Sequence, residues 1–344
     1  MSAEKPPHAT APRLSDVARA AGVDVSTASR VLNGDAGHRV AADTRARVLA
    51  AARALDYRPN PIARALRTAR SHTLGIVVPQ LDNPVFAQVI IGAEAAARAR
   101  GYSLLIAHVG PDAASGAEVY TRLAQAHHVD GLLAASLESD AALGAALARA
   151  GVPAVVLNRR LRAVPHHVVF DSEAAARIAT EHLLALGHRH IAHLAGRPRG
   201  YNGRHRIAGF RAALRSAGVR PAPGLVAAAG YTLEGGARAM QTLLAAPVRP
   251  TAVVAATLLS AAGALKALHA AGRSVPGDVS VVAIHDAEIA DMLYPPLTTV
   301  RLPLRAMGAR AAEGLIDLIE GRCVAVAHVL APEGLVLRSS TAPP

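Results

Sequence analysis

Apolar residues near the start of the chain recur at helical spacing in short segments that polar residues and glycine separate. In LSDVARAAG, Ser15 stands at an N-cap position before the apolar stripe and Gly22 follows it, which predicts a helix over about 16–21. The next stripe predicts a second helix from near Ser26 to about Leu32. Two short helices therefore follow one another with a glycine turn between them.

The second predicted helix has one apolar and one polar face. Its apolar face, which would pack against the first helix, is formed by Ala28, Val31 and Leu32. The opposite face consists of Ser26, Ser29, Arg30 and Asn33. A third helix is predicted from about Asp43, and the residues that it would turn toward the first two are Val48, Leu49, Ala52 and Leu55. This arrangement is typical of a helix-turn-helix module, whose second helix can lie in the major groove of DNA; a purely structural three-helix cap is the alternative.

The segment YRPNPIARALRT predicts a further, very short helix. Asn60 stands at its N-cap and Pro61 at its first helical position, and the helix has about six residues before the pattern becomes strand-like. Because helix nucleation is costly, a helix of this length is not stable alone in water and needs a partner. Residues 60–71 are therefore predicted to be a hinge helix or linker.

From residue 71 onward, near-continuous apolar segments alternate with Ala-rich helical stretches. The strand-like segments are LGIVVP, YSLLIA, DGLLAA, PAVVLN, HVVFD, HIAHLAG, GLVAAA, AVVAA and VSVVAI. Alternation of this kind predicts the α/β class, with parallel sheets covered by helices on both faces. A first set of strands ends near Asp171 and a second occupies about 173–296, which predicts two similar lobes.

Composition adds an uneven charge to this picture. Residues 1–70 hold 12 Lys and Arg against 6 Asp and Glu, whereas the remaining residues hold 25 against 19. A basic N-terminal module indicates a polyanion-binding head, although a general preference for Arg over Lys is an alternative explanation. One cysteine, Cys323, excludes an intrachain disulfide, and no apolar run reaches the roughly 20 residues of a membrane span. Residues 1–12 lack an apolar secretory core and are predicted to be a disordered leader, so we expect a cytoplasmic protein.

Several of these segments together are similar to one known family. LSDVARAAGVDVSTASRVLNG, YRPNPIARALRT, LGIVVPQLDNPVFAQVIIGAE, EHLLALGHRHIAHLAG, RHRIAGFRAAL, VPGDVSVVAIHD and YPPLTTVRLPLRAMG occur in the order found in the lactose/galactose repressor (LacI/GalR) family of bacterial transcription regulators. The resemblance covers about residues 13–340. It implies a helix-turn-helix domain over 13–59, the hinge over 60–71, and a two-lobed core over 72–340 that resembles type I periplasmic binding proteins. Lobe one is expected at about 72–171 plus about 297–325, and lobe two at about 172–296 plus the C-terminal end.

The resemblance implies which residues contact DNA. Base reading falls on Val25, Ser26 and Arg30, of which the arginine suits a bidentate contact to guanine. Phosphate contacts fall on Thr27, Ser29 and Asn33, with solvation or capping as the alternative for Ser29 and Asn33. The hinge contributes Asn60 and Leu66, the latter as a wedge in the minor groove rather than a core residue. Because such a hinge needs a partner, a homodimer on a pseudo-palindromic operator is expected.

The resemblance also implies an effector cleft, and here the sequence departs from sugar-binding members. The cleft arginine falls on Arg204, whereas an Asn-Asp pair is replaced by Thr257-Leu258 and an acidic pair by His285-Asp286. Since a buried hydroxyl without its acceptor costs about 1 to 3 kcal/mol, the expected ligand is not a plain hexose but an acidic or acceptor-rich molecule. A cleft that binds no effector is the alternative.

Four further residues are candidates for the cleft. Asp82 and Phe86 follow the first strand at its carboxyl end, where ligands bind in such sheets, although Phe86 is equally compatible with a core position. Asp171 and Tyr201 are weaker candidates at the lobe boundary. The HxHxxH motif at 188–193 does not predict a metal site, because His190 and His193 fall on opposite faces of a strand.

These patterns predict a DNA-binding transcriptional regulator, a repressor, that is a homodimer and responds to a small-molecule effector, either a sugar or a related, including acidic, metabolite. No phosphate fingerprint, catalytic constellation or metal-ligand spacing stands out, so neither enzymatic activity nor a cofactor is expected. The alternatives are a solute-binding protein without a DNA role, a corepressor-dependent regulator of the same fold, and a sugar-modifying enzyme on an α/β body.

Overall fold

A computed structural model describes residues 12–33, 40–57, 70–81, 83–109, 116–125, 128–136 and 139–344. The chain divides into two units, Met1–Ser71 and His72–Pro344. Within the described ranges, none of the helices is both long and apolar enough to cross a bilayer. Each unit has a hydrophobic core of its own.

The first unit contains three helices, α1 (Leu14–Ala21), α2 (Val25–Asn33) and α3 (Ala42–Ala54). Their shared core consists of Val17, Ala18, Ala21, Ala28, Val31, Val48, Ala51 and Ala52. Helix α1 ends at Gly22, whose φ of 64° is left-handed and therefore favours glycine. The three-helix arrangement with a tight turn between α1 and α2 confirms the helix-turn-helix prediction.

Two local predictions in this unit were wrong. Ser15 lies inside α1 rather than at its N-cap. The Asp16 carboxylate, a stronger acceptor than a hydroxyl, accepts a hydrogen bond from the backbone N–H of Arg13 at 2.9 Å. Arg13 is therefore the N-cap, and the helix begins at Leu14. Leu49 and Leu55 were expected to pack inward, but they are 37% and 36% exposed. The buried stripe of α3 runs through Val48, Ala51 and Ala52 instead, at the helical spacing of three to four residues.

Two six-stranded sheets form the centre of the second unit. The strands of the first are β1 (Thr73–Val78), β2 (Ser103–His108), β3 (Gly131–Ala134), β4 (Ala154–Leu157), β5 (His167–Phe170) and β11 (Ala327–Leu330). Their order is β11-β5-β4-β3-β1-β2, and all neighbours are parallel. We call this sheet and its helices lobe one.

The strands of the second sheet are β6 (Ile191–Ala195), β7 (Val226–Ala228), β8 (Ala252–Ala255), β9 (Ser280–Ile284), β10 (Thr298–Arg301) and β12 (Gly334–Val336). Their order is β12-β10-β9-β8-β6-β7, and the edge strand β12 is antiparallel to β10 while the other neighbours are parallel. This sheet and its helices form lobe two. Two mainly parallel sheets with helices between their strands confirm the predicted α/β class.

The helices of the second unit are α4 (Pro84–Ala99), α5 (Gly116–Ala124), α6 (Asp140–Ala150), α7 (Ser172–Ala185), α8 (Tyr201–Ser216), α9 (Leu233–Leu244), α10 (Leu258–Ala270), α11 (Ile289–Met292) and α12 (Leu304–Ile319). Helices α4 and α12 approach so closely that a Cβ on Gly92 would lie 2.0 Å from the Arg305 carbonyl oxygen. A Cβ on Gly308 would lie 1.9 Å from the carbonyl oxygen of Val89. These two glycines therefore allow α12 to cover lobe one.

The chain crosses between the lobes at places that differ from the sequence-based division. Residues 297–325 were assigned to lobe one, yet Thr298–Val300 pair with Val282–Ile284 in lobe two. Lobe one receives α12 and then β11, which pairs with β5 beyond residue 325. The assignment was wrong for β10, because a short apolar strand fits either sheet by its own pattern and only its hydrogen-bonding neighbours decide which sheet it joins.

Candidate nucleic-acid interface and ligand cavity

The start of α2 is organised by Asp24, the residue just before it. The Asp24 carboxylate accepts hydrogen bonds from the backbone N–H of Thr27 (2.8 Å) and from the hydroxyls of Thr27 (2.7 Å) and Ser26 (2.5 Å). The hydrogen bonds from Ser26 and Thr27 hold the pKa of this carboxyl well below its usual range. Asp24 thus caps a first-turn N–H that would otherwise lack a partner. Asp24 was not identified from the sequence, although an Asp directly before an amphipathic segment is a recognisable N-cap.

The predicted DNA-contacting residues on α2 differ in exposure. Val25 is 48% exposed, and Ser26 and Arg30 are also exposed, whereas Thr27 and Ser29 are half-buried. Because the Ser26 and Thr27 hydroxyls donate to Asp24, any phosphate that they bind must compete with that carboxylate. The last residue of α2 is Asn33. Asn60 and Leu66 lie outside the described residues.

Arg47 fixes α3 to the end of α1. Its guanidinium donates a hydrogen bond to the carbonyl oxygen of Ala21 at 3.1 Å and lies 3.4 Å from the Asp43 carboxylate. The carbonyls at a helix C-terminus have no partners within the helix, so a cation there is favourable. Arg47 is therefore a structural contact of the three-helix unit.

A cavity of about 540 Å³ lies between the lobes of the second unit. Its lobe-one wall includes Gln80, Asn83, Phe86, Ser136, Asp140, Leu157, Asn158 and Arg159. Its lobe-two wall includes Arg197, Arg199, Tyr201, Asn202, Arg206, Tyr231, Thr257 and His285. The volume is within the range of small-molecule sites, and the charged groups in this described lining are four arginines and one aspartate.

Four predicted effector residues line this cavity, and two do not. Phe86, Tyr201, Thr257 and His285 belong to its lining. Asp171 instead caps α7, where its carboxylate accepts the backbone N–H of Ala174 at 2.9 Å. Arg204 is exposed and donates to the carbonyl oxygen of Arg199 at 2.6 Å. Asp82 lies outside the described residues.

The arginine of α8 that lines the cavity is Arg206, two residues beyond the predicted one. Two residues correspond to a rotation of about 200° around a helix, so the side chains of positions 204 and 206 leave α8 in nearly opposite directions. The buried stripe of α8 runs through Gly203, Arg206 and Phe210, and it excludes Arg204. This spacing is visible in the sequence and would have identified Arg206.

Arg206 and His285 form a pair at the buried end of the cavity. Arg206 is 1% exposed and His285 is 4% exposed. One terminal nitrogen of Arg206 donates to the carbonyl oxygen of Ala256, and the other lies 3.3 Å from Nε2 of His285. Burial, and then the nearby guanidinium, hold the pKa of His285 well below its usual range, so this imidazole is neutral.

The tautomer of His285 follows from this contact. A guanidinium only donates, so Nε2 of His285 accepts and its proton is assigned to Nδ1. Among the described residues, neither Nδ1 of His285 nor Nε of Arg206 has a hydrogen-bond partner. Two buried donors at this end of the cavity are therefore unsatisfied.

Two further polar residues near the cavity, Thr257 and Asp286, are engaged in structural contacts. The Thr257 hydroxyl is used within its own helix, because it accepts the Ser260 backbone N–H at 3.2 Å in a capping box at the start of α10. The acid that follows His285 in the sequence, Asp286, faces away from the cavity and pairs with Arg301 (2.8 Å) and Arg338 (2.9 Å). The predicted pair His285-Asp286 therefore places no carboxylate beside Arg206.

Asn158 contributes an available group on the lobe-one wall. Its carbonyl oxygen accepts from Nδ2 of Asn202 at 2.7 Å, but its side-chain Oδ1 is buried and has no partner among the described residues. Nearby, Arg159 donates to the carbonyl oxygen of Ser136 and pairs with Asp140. Asn158 was not identified from the sequence, where nothing distinguishes it from a loop asparagine.

Tyr231 approaches the cavity because the opposite residue is a glycine. A Cβ on Gly196 would lie 2.2 Å from the Tyr231 ring, closer than van der Waals contact permits. Gly196 directly follows β6, so the ring packs over the carboxyl end of that strand. This is the edge at which ligands bind in parallel sheets.

Two of the three histidines of the HxHxxH motif, His188 and His193, have ordinary structural partners. His188 contacts the Thr251 hydroxyl (2.9 Å) and the Ala342 carbonyl oxygen (2.8 Å). His193 contacts the Val254 carbonyl oxygen at 2.9 Å, and burial lowers its pKa to about 4. A search of the described part of the chain finds no cluster of His, Cys, Asp or Glu that could hold a metal ion.

Comparisons with known proteins match both units. Residues 13–60 match the family described as bacterial regulatory proteins, lacI family, and residues 180–341 match a periplasmic binding protein-like domain. The HTH-type transcriptional regulator CelR of Thermobifida fusca is 36% identical, with 96% of this chain and 98% of that protein covered. The ribose operon repressor of Escherichia coli strain K12 is 33% identical, with 89% and 92% covered.

Solved structures match over nearly the whole length as well. A complex of the transcriptional regulator CelR with cellobiose has 35% sequence identity and a TM-score of 0.73, with 96% of this chain and 99% of that chain covered. The lac repressor dimer bound to operator and an anti-inducer has 30% identity and a TM-score of 0.82, with the same coverage.

Proposed function

The chain belongs to the LacI family of bacterial regulatory proteins, and on this premise we propose that it is a homodimeric repressor whose operator affinity depends on a small molecule bound between its lobes. Its relatives are transcriptional regulators, and this protein is a DNA-binding regulator rather than an enzyme. We place its site of action in the cytoplasm, where its DNA target lies.

The proposed DNA contacts centre on the first half of α2. The exposed Arg30 suits a bidentate hydrogen bond to guanine, and Val25 suits contact with a thymine methyl. The Ser26 hydroxyl can pair with either a donor or an acceptor on a base edge. Thr27, Ser29 and Asn33 serve as phosphate contacts that fix the register of the helix without reading bases. The solved lac repressor dimer on its operator supports this mode of binding.

The hinge role of Asn60 and Leu66 is part of the same proposal. A leucine inserted into a central base step unstacks that step and bends the duplex. We expect Leu66→Ala to reduce the bend angle of bound DNA in a circular-permutation gel assay while leaving the fold of the second unit unchanged. An unchanged bend angle would contradict the wedge role.

The proposed effector site is the cavity between the lobes. Both sheets contribute to its lining, so a ligand that fits one relative position of the lobes better than another shifts the population toward it. CelR has been solved with cellobiose in a complex, which supports a ligand-responsive core in this chain too. The change in lobe geometry would alter the separation of the two DNA-binding units in a dimer.

The observation that carries the proposal is a combination found in one chain: a helix-turn-helix unit with Val25, Ser26 and Arg30 exposed on α2, and a cavity lined from two lobes. A solute-binding protein without a DNA role has no use for the first unit. Experiment decides whether the ligand is an inducer or a corepressor, because the two differ only in which arrangement of the lobes they stabilise.

The proposal is tested by binding of the full chain to pseudo-palindromic fragments from the DNA upstream of its own coding sequence. We expect a dimer per site by analytical ultracentrifugation and an affinity that falls steeply with salt, since phosphate contacts release counterions. A ligand that binds the cavity should weaken this complex if it is an inducer or tighten it if it is a corepressor. A monomer that binds no double-stranded fragment would disprove the DNA role, and a bound ligand without effect on operator affinity would disprove the effector role.

A further inference from the structure

The charge at the buried end of the cavity is not balanced by the protein. Arg206 is almost completely buried, and its guanidinium contacts the carbonyl oxygen of Ala256 and the neutral imidazole of His285. Among the described residues, no carboxylate forms an ion pair with Arg206. Asp286, the acid that directly follows His285, is held by Arg301 and Arg338. A buried cation is costly unless it is paired, so this end of the cavity favours an anion.

Unsatisfied hydrogen-bond donors lie at the same end. Nε of Arg206 and the protonated Nδ1 of His285 are both buried without partners among the described residues. Each can only donate in this arrangement, because the guanidinium has no acceptor and Nε2 of His285 already accepts from it. The missing groups are therefore acceptors, and the two oxygens of a carboxylate can accept from two such donors.

The opposite wall offers different chemistry. The buried Oδ1 of Asn158, on the lobe-one side, lacks a hydrogen-bond partner among the described residues. A side-chain amide pairs with hydroxyl groups as donor or acceptor. The Phe86 ring lies on the same wall and can cover an apolar face of a ligand. This wall thus suits the hydroxylated part of a small molecule rather than a second charge.

Backbone strain marks the same two positions. Asn158 has a φ of 59° and His285 a φ of 77°, both in the left-handed region. Asparagine adopts this region readily, whereas histidine there is uncommon and costs free energy. Strained residues that face one another across a cavity are typical of ligand sites.

We infer that the ligand of this cavity is a hydroxy acid, whose carboxylate pairs with Arg206 and His285 and whose hydroxyl groups contact the lobe-one wall at Asn158. Arg197 and Arg199, which also line the cavity, add positive charge that attracts such an anion. A cavity of about 540 Å³ accommodates either an acid of monosaccharide size together with water molecules or a larger acid that fills the cavity alone. This inference rests on the proposed function only in treating the cavity as the effector site.

The test compares acids with neutral molecules of the same shape on the full chain. The probes are D-glucuronate and D-galacturonate, D-gluconate and D-galactonate, the neutral controls D-glucose, D-galactose and D-glucuronamide, and D-glucose 6-phosphate. Binding is measured by isothermal titration calorimetry and by thermal shift. We expect at least one acid to bind saturably and at least about tenfold more tightly than its neutral counterpart, as charge-assisted hydrogen bonds require.

The chain offers a matched pair of variants. Arg206→Gln should abolish the preference for acids, whereas Arg204→Gln, on the exposed face of the same helix, should retain it. His285→Asp should also abolish the preference, because it supplies the missing carboxylate to Arg206. His285→Asn keeps an N–H donor and tolerates the left-handed backbone, so it should fold and preserve the preference.

Four results would overturn the inference: equal or tighter binding of the neutral sugars, tighter binding of the phosphate ester, no saturable binding of any acid, or equal losses in Arg204→Gln and Arg206→Gln. Operator binding, measured in parallel, separates this inference from the proposed function. An acid that binds without changing operator affinity leaves the inference standing and disproves the effector role. A chain that binds its operator but none of the acids disproves the inference alone.

Discussion

Two arginines on one helix show that the direction of a side chain decides which residue reaches the cavity. Arg204 and Arg206 are separated by one residue on α8, yet the first is exposed and the second is buried at the end of the cavity. The family resemblance led to Arg204, because the motif RHRIAGF has an arginine at both positions 204 and 206 and either can be aligned with the cleft arginine. The helical phase of the buried residues resolves the ambiguity in favour of Arg206.

Replacement of Arg30 tests the base-reading role at the residue scale. Arg30→Ala should weaken operator binding by about 1 to 3 kcal/mol and relax the preference at one base pair, because a bidentate guanine contact is lost. Fluorescence anisotropy with the operator and with single-base variants measures both effects. Arg98→Ala, which removes an exposed arginine from α4 in the second unit, is the charge-matched control. An equal loss on every DNA sequence would make Arg30 a phosphate contact.

Asp286 provides a prediction on pH dependence. Burial alone would raise the pKa of its carboxyl, but hydrogen bonds from Thr299, Arg301 and Arg338 outweigh burial and lower it. A carboxylate whose pKa is lower in the folded state stabilises the protein above its unfolded pKa of 3.8, and this contribution is lost as the pH falls through the folded value.

Asp286→Asn should therefore lower the free energy of unfolding by about 1 to 3 kcal/mol at pH 7, since charge-assisted hydrogen bonds are lost in a partly buried site. The difference from the unmodified protein should shrink as the pH falls below about 4, because the unfolded carboxyl is protonated there and the native one follows at its lower pKa. Urea unfolding at a series of pH values measures it. Asp291→Asn removes a 74% exposed partner of Arg338 and should change the free energy by less than about 0.5 kcal/mol. A difference independent of pH would contradict the assignment.

At the scale of elements, the contact between α4 and α12 depends on the absence of two side chains. A methyl group on Gly308 would lie 1.9 Å from the Val89 carbonyl oxygen and 2.8 Å from the Ala93 nitrogen. The backbone of α4 cannot yield as a flexible side chain could, so α12 would have to move away from lobe one.

Gly308→Ala should therefore destabilise the second unit by about 1 to 3 kcal/mol in chemical denaturation, the range found for overpacked cores. Helix propensity acts in the opposite direction, favouring alanine over glycine by about 1 kcal/mol. A net loss can therefore arise only from the steric conflict. Ala306→Gly, at an exposed position of the same helix, measures propensity alone. Increased stability of Gly308→Ala would show that the helices separate at little cost.

At the scale of the whole molecule, the two units are expected to be separable in function. Deletion of residues 1–71 removes the complete first unit and leaves the core of His72–Pro344 intact. The shortened chain should lose all operator binding in a gel shift, while its cavity ligand still raises its thermal midpoint by the same amount. Residual operator binding by the shortened chain would place DNA contacts in the second unit.

The class of the molecule follows from local patterns in its sequence. Helical and strand periodicities identify the three-helix unit and every strand through β9, because hydrophobic spacing is a local property that burial imposes on each element. Sequence motifs in family order likewise identified the regulator family and the presence of a two-lobed core.

The sheet that each late strand joins, and the partners of the cavity side chains, follow only from the fold. Strands β10 and β11 joined the sheets opposite to those expected, since a strand of four residues takes its place from distant hydrogen-bonding partners. The unbalanced charge of Arg206 is visible only when Asp286 is seen to pair elsewhere and His285 to stand beside it as a neutral donor. Pairing and burial arise between residues far apart in the chain, so local patterns could name the residues of this site without revealing which of them lack a partner.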